Sequence, residues 1–332
     1  MGIAPDIASG LEGERIAYES LLERSRQRSV FAESWWLDAS TGSPDGWRPN
    51  LLLDASGDPR AAWPLPTRSS AHGPVATGAP YTPFVGPQLP DREPGVARVS
   101  ADSELLRELA TKLDEYAHVE AACMPELDYW TPLSWHGFEQ TTRTTWRVAA
   151  GTAPADVRAG MRKGTRSALT AAERDGLVID TGTIEELLAA CEATFAAQDI
   201  ADVPARTVLE RVARAATQRG RGEILAVRTP DGELASAGLF VFDDRLTYNL
   251  ANGRIAASGA TGAPTALIWH AIGRALERGT GFDFEGSMLE PVERFVRGFG
   301  GEPFAYSVVR RSSPAWAKVV VHKRRIKRFL RR

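Results

Sequence analysis

One order of elements occurs twice in this chain and restricts its fold more than anything else in the sequence: a short antiparallel meander, a helix, then one more strand. In the second half, residues 223–229 have strand composition, Pro230-Asp231-Gly232 makes a turn, residues 233–242 form a longer strand, and residues 245–251 extend the meander. Pro264 then opens a helix at the first-turn position, where a missing N–H breaks no helical bond. Leu267, Ile268, Ala271, Ile272, Ala275 and Leu276 recur at helical spacing, and Gly279 ends the helix. A strand at 281–285 follows. In the first half, strands at 50–53 and 61–65 flank a turn at 54–58. A helical stripe of Leu105, Leu106, Leu109, Leu113 and Tyr116 comes next, with Asp102 or Ser103 as N-cap, and Val119, Ala121 and Cys123 then alternate as in a strand.

The 332 residues suffice for about two domains. With 43% hydrophobic and 25% charged residues, the composition excludes a disordered, collagen-like or disulfide-stapled chain. The apolar pattern lapses around Gly151, so an N-terminal domain over 1–150 and a second over 151–313 are expected, with 314–332 as a basic C-terminal helix. Helices at 152–174, 184–198 and 207–219 lead into the second meander. In the first half, Gly73-Pro74, residues 81–87 and Leu89-Pro90 form an aromatic, Pro/Gly-rich stretch, too apolar for a linker and too broken for an element. It either lines a cleft or packs over the core.

Forty Lys and Arg against 42 Asp and Glu give a net charge of −2, which excludes a surface built throughout to hold nucleic acid. The average hides an asymmetry. From Arg310 onward there are ten cations and no acid, leaving 30 cations against 42 acids, a charge of −12, on the rest. Trp316, Val319, Val320, Ile326 and Leu330 fall on one side of a tail helix and its Lys and Arg residues on the other. Three partners compete for it: the acidic body, an anionic membrane surface, and RNA phosphates. No run approaches the roughly 18 apolar residues of a membrane span, and residues 1–13 lack a basic segment followed by an apolar core, so a cytoplasmic protein is expected. Cys123 and Cys191 have neither redox nor metal spacing, and the five histidines are scattered, so no metal site is expected.

Chemistry concentrates in residues 280–301. Strand alternation puts Phe282 and Phe284 on one face and Asp283 and Glu285 on the other, and two carboxylates on an interior strand require cations, donors or water. Arg294 and Arg297 are the nearest candidate partners. One division of roles has Asp283 locked to an arginine, and Glu285, nearer the strand end, open to a polar cavity as a proton acceptor. Tyr248 and Asn249 on the meander are candidate substrate contacts. Arg162, Lys163 and Arg166 form a basic cluster that is either a solvated helical face or an anion-binding one. The loop 258–264 resembles a phosphate cradle at a helix N-terminus, but Pro264 removes a donor and no Gly-Lys-Ser/Thr is present, so a plain turn fits better.

Together these residues resemble the double acyltransferase fold of the GNAT superfamily, in the branch of Fem-type aminoacyl-tRNA-dependent peptidyltransferases and FemAB-like acetyltransferases. The resemblance is carried by Ala263-Pro264 opening a helix with Trp269, by Gly279, by Phe282-Asp283-Phe284-Glu285-Gly286, by Arg294-Phe295 and by Phe299-Gly300-Gly301. Ser34-Trp35-Trp36-Leu37-Asp38 and residues 82–87 add to it. It implies an α/β (α+β) fold of two tandem GNAT-like domains, each a mixed, mainly antiparallel sheet flanked by helices. It further implies an amine attacking an activated carbonyl in a cleft between the domains, with Glu285 as base and backbone N–H groups near Asn249 holding the oxyanion. Tyr248, Trp269, Asp283, Arg294 and Arg297 would then line the substrate site.

Acetyl-CoA enzymes of the superfamily carry Gln/Arg-x-x-Gly-x-Gly/Ala before this helix. With Gly262 as the first glycine, Gly259 and Pro264 occupy the other two fixed positions, and neither fits. The resemblance therefore implies aminoacyl-tRNA as donor, with no bound cofactor, and the amine of a small peptide or cell-wall precursor as acceptor. Arg162, Lys163, Arg166 and the tail residues Lys323, Arg324 and Arg325 would meet the tRNA. No long helical hairpin of the kind used as a tRNA arm is present. Acyl-CoA-dependent N-acetylation of an amino sugar or other small amine is the alternative, and a non-catalytic binding module the alternative of another class.

Overall fold

The computed structural model describes residues 5–197, 206–286 and 288–318. In chain order its first elements are α1 (Pro5–Glu23), α2 (Ser34–Thr41), β1 (Trp47–Arg48), β2 (Leu52–Leu53), β3 (Pro59–Ala61), β4 (Leu65–Arg68), β5 (Val75–Ala76), α3 (Val96–Lys112), β6 (His118–Ala122) and α4 (Thr131–Ser134). There follow β7 (Glu139–Val148), α5 (Pro154–Gly160), α6 (Lys163–Arg174), β8 (Val178–Thr181), α7 (Ile184–Ala196), α8 (Arg206–Gln218), β9 (Gly222–Arg228) and β10 (Leu234–Phe242). The last are β11 (Leu246–Arg254), α9 (Ala263–Glu277), β12 (Gly281–Asp283), α10 (Glu290–Arg297) and β13 (Glu302–Ser312).

Two compact units result, Met1–Thr142 with Tyr306–Arg332, and Arg143–Ala305. The chain enters the second unit within β7 and leaves it within β13, so the boundaries differ from those expected at residues 150 and 313. Both crossings lie within strands.

Each unit repeats one topology. In the first, the sheet order is β1-β4-β5-β6-β13, and β5 and β6, joined through α3, are the parallel pair. In the second, the order is β7-β12-β11-β10-β9-β8, and β11 and β12, joined through α9, are the parallel pair. Antiparallel neighbours need only short turns, whereas a parallel pair requires a crossover, and a helix covering one sheet face provides it. α9 buries Leu267, Ile268, Ala271, Ile272 and Ala275 against Phe240, Phe282 and Val148. α7 starts from a capping box in which Thr183 and Glu186 satisfy each other's backbone N–H groups.

Three local expectations are corrected. α3 begins at Val96, not at Asp102; Asp102 lies inside the helix at 2% exposure, where Arg26 (3.0 Å), Arg92 (3.3 Å) and Arg98 (3.4 Å) compensate its burial. The single helix expected at 152–174 is broken into α5 and α6, because Met161 turns into the core and the Arg162 N–H leaves the helical ladder for the Gly298 carbonyl at 2.9 Å. The strand expected at 281–285 ends at Asp283.

Residues 314–318 are helical, and the rest of the expected tail helix lies outside the described residues. Trp316 stacks on His118 with ring centroids 6.0 Å apart, and the Arg68 guanidinium lies 5.7 Å from the Trp316 ring. Lys323, Arg324 and Arg325 lie outside the described residues.

Candidate active site

The end of β12 is where the second unit's sheet opens. β11 and β12 pair in parallel over Leu246–Gly281, Thr247–Phe282 and Tyr248–Asp283 only; β12 then stops while β11 runs on to Arg254. At that level the β10–β11 register slips, with Leu239 opposite Ala251 and Phe240 opposite Asn249, so Leu250 is an extra residue. Such a bulge interrupts the ladder and redirects backbone groups, an arrangement frequent beside active sites. The Asn249 carboxamide accepts a hydrogen bond from Asn252 at 2.9 Å.

Asp283, the last residue of β12, is completely buried. Its Oδ2 accepts from Arg147 Nε at 2.7 Å, and its Oδ1 accepts from the Thr145 hydroxyl at 2.5 Å and from the Glu285 backbone N–H at 2.7 Å. Thr145 and Arg147 alternate on β7, whose Arg147 is the register partner of Asp283. The expected lock thus exists with different partners. Arg294 and Arg297 are exposed and pair within α10, with Glu290 at 2.7 Å and Glu293 at 3.1 Å. β7 was the missed signal: residues 140–148 carry the Thr-rich alternation of a strand, with Thr145 and Arg147 on one face. Burial raises the Asp283 carboxyl above its usual range, against the pull of Arg147 and the hydrogen bonds it accepts.

Glu285 meets Asp283 through a turn, not through strand alternation. The Phe284 N–H still bonds the Trp146 carbonyl at 3.0 Å, after which Glu285 adopts a left-handed backbone (φ +57°) and Gly286 another (φ +42°). Gly286 is required there: a Cβ would lie 2.1 Å from the Thr144 carbonyl oxygen. A left-handed glutamate is uncommon and held only where its surroundings enforce it, here by the N–H bond to Asp283. The residue is part-exposed, yet its Oε1 is sealed and has no hydrogen-bond partner among the described residues. Desolvation, and then the Asp283 charge, push its carboxyl well above the usual glutamate range.

Of the expected substrate contacts, Tyr248 is buried and Trp269 half-buried. Tyr248 is fully buried, with its hydroxyl on Asp243 at 3.2 Å, because the β11 face that carries it is covered. Trp269 packs against Leu169, Ala172 and Ala266, where α9 meets α6. That contact is close: a Cβ on Gly262, the N-cap of α9, would lie 2.7 Å from the Ala168 carbonyl oxygen of α6. At the start of α9, the Ala263 N–H bonds the Ala260 carbonyl, Pro264 has no N–H, and the Ala266 N–H bonds the Gly262 carbonyl. Lys163 and Arg166, with Arg158, Ser167, Thr170 and Arg174, line a depression of about 430 Å³ on α6. Arg158 is paired with Glu173 and Arg174 with Asp175, the Arg166 guanidinium bonds the Met161 carbonyl, and Lys163 has no ion partner among the described residues. No metal-type cluster and no helix long and apolar enough to cross a membrane occurs among the described residues.

Residues 155–295, within the second half of the chain, match the family model for an acetyltransferase (GNAT) domain. The chain is similar to the crystal structure of FemX, with a TM-score of 0.65 and 12% identity over 88% of this chain and 95% of that one. It is also similar to a conserved protein of unknown function from Bacteroides thetaiotaomicron (TM-score 0.59, 10% identity, 90% and 97% covered) and to L-PGS from Bacillus licheniformis (0.51, 11%, 92% and 95%). At these identities the likeness is one of fold. No curated protein matches the chain in sequence.

Proposed function

We propose that this protein forms an amide bond by transferring an aminoacyl group from aminoacyl-tRNA to the amine of a small peptide or cell-wall precursor. The observation that carries the reading is Glu285, a part-exposed residue whose carboxyl has one sealed oxygen without a hydrogen-bond partner among the described residues and a raised proton affinity, at the point where β11 and β12 part. The acceptor's nitrogen attacks the ester carbonyl carbon, and its surplus proton passes to ionised Glu285. When the tetrahedral adduct collapses, the bond from carbonyl carbon to ribose oxygen breaks, its electron pair stays on that oxygen, and the proton returns from Glu285 to it. Amide and free tRNA hydroxyl are released and Glu285 is restored. Backbone N–H groups of the bulged segment at Asn249 and Leu250 are the oxyanion donors in this reading.

Two observations favour an ester on tRNA over a CoA thioester. The first turn of α9, where a pyrophosphate would be cradled, has lost the Pro264 donor, uses the Ala263 and Ala266 N–H groups internally, and lies against α6. The depression on α6 collects cations suited to phosphodiesters. Incubating the protein and a pool of small peptide and amino-sugar amines with mixed charged tRNA, or with acyl-CoA, tests the choice. Loss of amino acid from tRNA with appearance of an amide is expected. Consumption of acyl-CoA alone would replace the donor, and consumption of neither would leave a binding module.

A further inference from the structure

The burial of Asp283 and the sealed oxygen of Glu285 have one explanation in common. An aspartate at the end of a short strand could have been an apolar residue at lower cost, since a buried ion pair gains little over hydrophobic packing. Here the carboxylate accepts three hydrogen bonds, and one comes from the backbone of Glu285. That bond holds a left-handed glutamate in place, with Gly286 fitted against β7 behind it. We propose that Asp283, clamped by Arg147 and Thr145, is a positioning residue for Glu285: it fixes the turn that aims the Glu285 carboxyl and supplies the negative charge against which that carboxyl must ionise.

The inference rests on the role given to Glu285 above, but concerns a property of the folded protein alone. The charged group acting on Glu285 is Asp283 of β12; Arg147 of β7 acts on Asp283, and Thr145 beside it contributes a neutral hydroxyl. The Arg147 guanidinium also lies over the Phe304 ring, 5.2 Å from its centroid. A purely structural lock would secure β12 to β7 and leave the ionisation of Glu285 unaltered. A positioning lock makes the proton affinity of Glu285 depend on the Asp283 charge, because in a desolvated site that charge is weakly screened.

The test is the titration of the Glu285 carboxyl, followed by carbon-13 NMR in glutamate-labelled protein and assigned with E285Q. In D283N the midpoint should fall toward the ordinary glutamate range by about one pH unit or more, a tenfold or greater loss of proton affinity. Should D283N not fold because it strands the Arg147 charge, the double variant D283N/R147M removes the pair without leaving a lone ion and should show the same direction of shift. A midpoint that stays within about 0.2 unit in either folded variant would overturn the proposal. No substrate is needed, so a protein inactive with charged tRNA could still show the shift, and the two readings fail separately.

Discussion

Replacing Gly286 by alanine tests the turn that presents Glu285. A Cβ at this position would sit 2.1 Å from the Thr144 carbonyl oxygen and 2.7 Å from the Thr145 Cα, both backbone atoms of β7 that cannot swing aside. Reaching ordinary contact at 3.4 Å requires the turn and β7 to separate by about 1.3 Å. Overpacking of this kind costs roughly 1–3 kcal/mol, and alanine in the left-handed region adds about 1–2 kcal/mol. A total of about 2–5 kcal/mol should therefore appear as a lower urea midpoint for unfolding. The displacement also moves Glu285 from the position in which it would act as the proposed base, and an error of about 1 Å in a catalytic group can lower the rate by about a hundredfold. Urea denaturation and transfer assays on the purified variant measure both effects. An unfolding midpoint and a rate equal to those of the wild type would refute the placement of this turn against β7.

Glu285→Gln should alter the pH dependence of stability. The folded protein holds the Glu285 proton more tightly than the unfolded chain, because burial and Asp283 raise its proton affinity. The stabilisation from that proton is complete below the unfolded value near 4.5 and is lost as pH rises through the raised folded value. E285Q should gain on the wild type across that window by about 1.4 kcal/mol per pH unit at most; a difference in urea stability that stays constant from pH 4 to pH 8 would contradict this. Cys123 and Cys191 are both buried, and burial pushes each thiol up to about 12. A thiol reagent at pH 8 should label neither cysteine in the native protein and both in denaturant, and stoichiometric labelling of the native protein would contradict their burial.

The sequence makes local features legible and long-range ones much less so. The second meander, the Pro264 start of α9 and the Gly279 stop are recorded in neighbouring residues, and the structure has them within three residues. The acidic pair at 283 and 285 is also visible, since charge in an apolar strand is conspicuous. Its partners are not: Arg147 lies 136 residues before Asp283, whereas Arg294 and Arg297 are near in sequence and bound to their own helix. Asp102 misleads in the same way. An aspartate before an apolar stripe reads as an N-cap, and only the convergence of Arg26, Arg92 and Arg98 lets it lie inside α3. Tyr248 shows the limit of residue type alone, because polar or aromatic character does not reveal which sheet face is covered.

In the proposed reaction everything turns on the Glu285 carboxyl taking the acceptor's proton during acyl transfer. Initial transfer rates measured against pH, for the wild type and E285Q with the same charged tRNA and amine, are its sharpest test. The wild-type rate should rise along a limb whose midpoint lies above the ordinary glutamate range, as the raised carboxyl becomes ionised. In E285Q that limb should vanish and the plateau should drop by about 10²–10⁴-fold. An E285Q protein that transfers at the wild-type rate, with the wild-type pH profile, would show that the proton goes elsewhere.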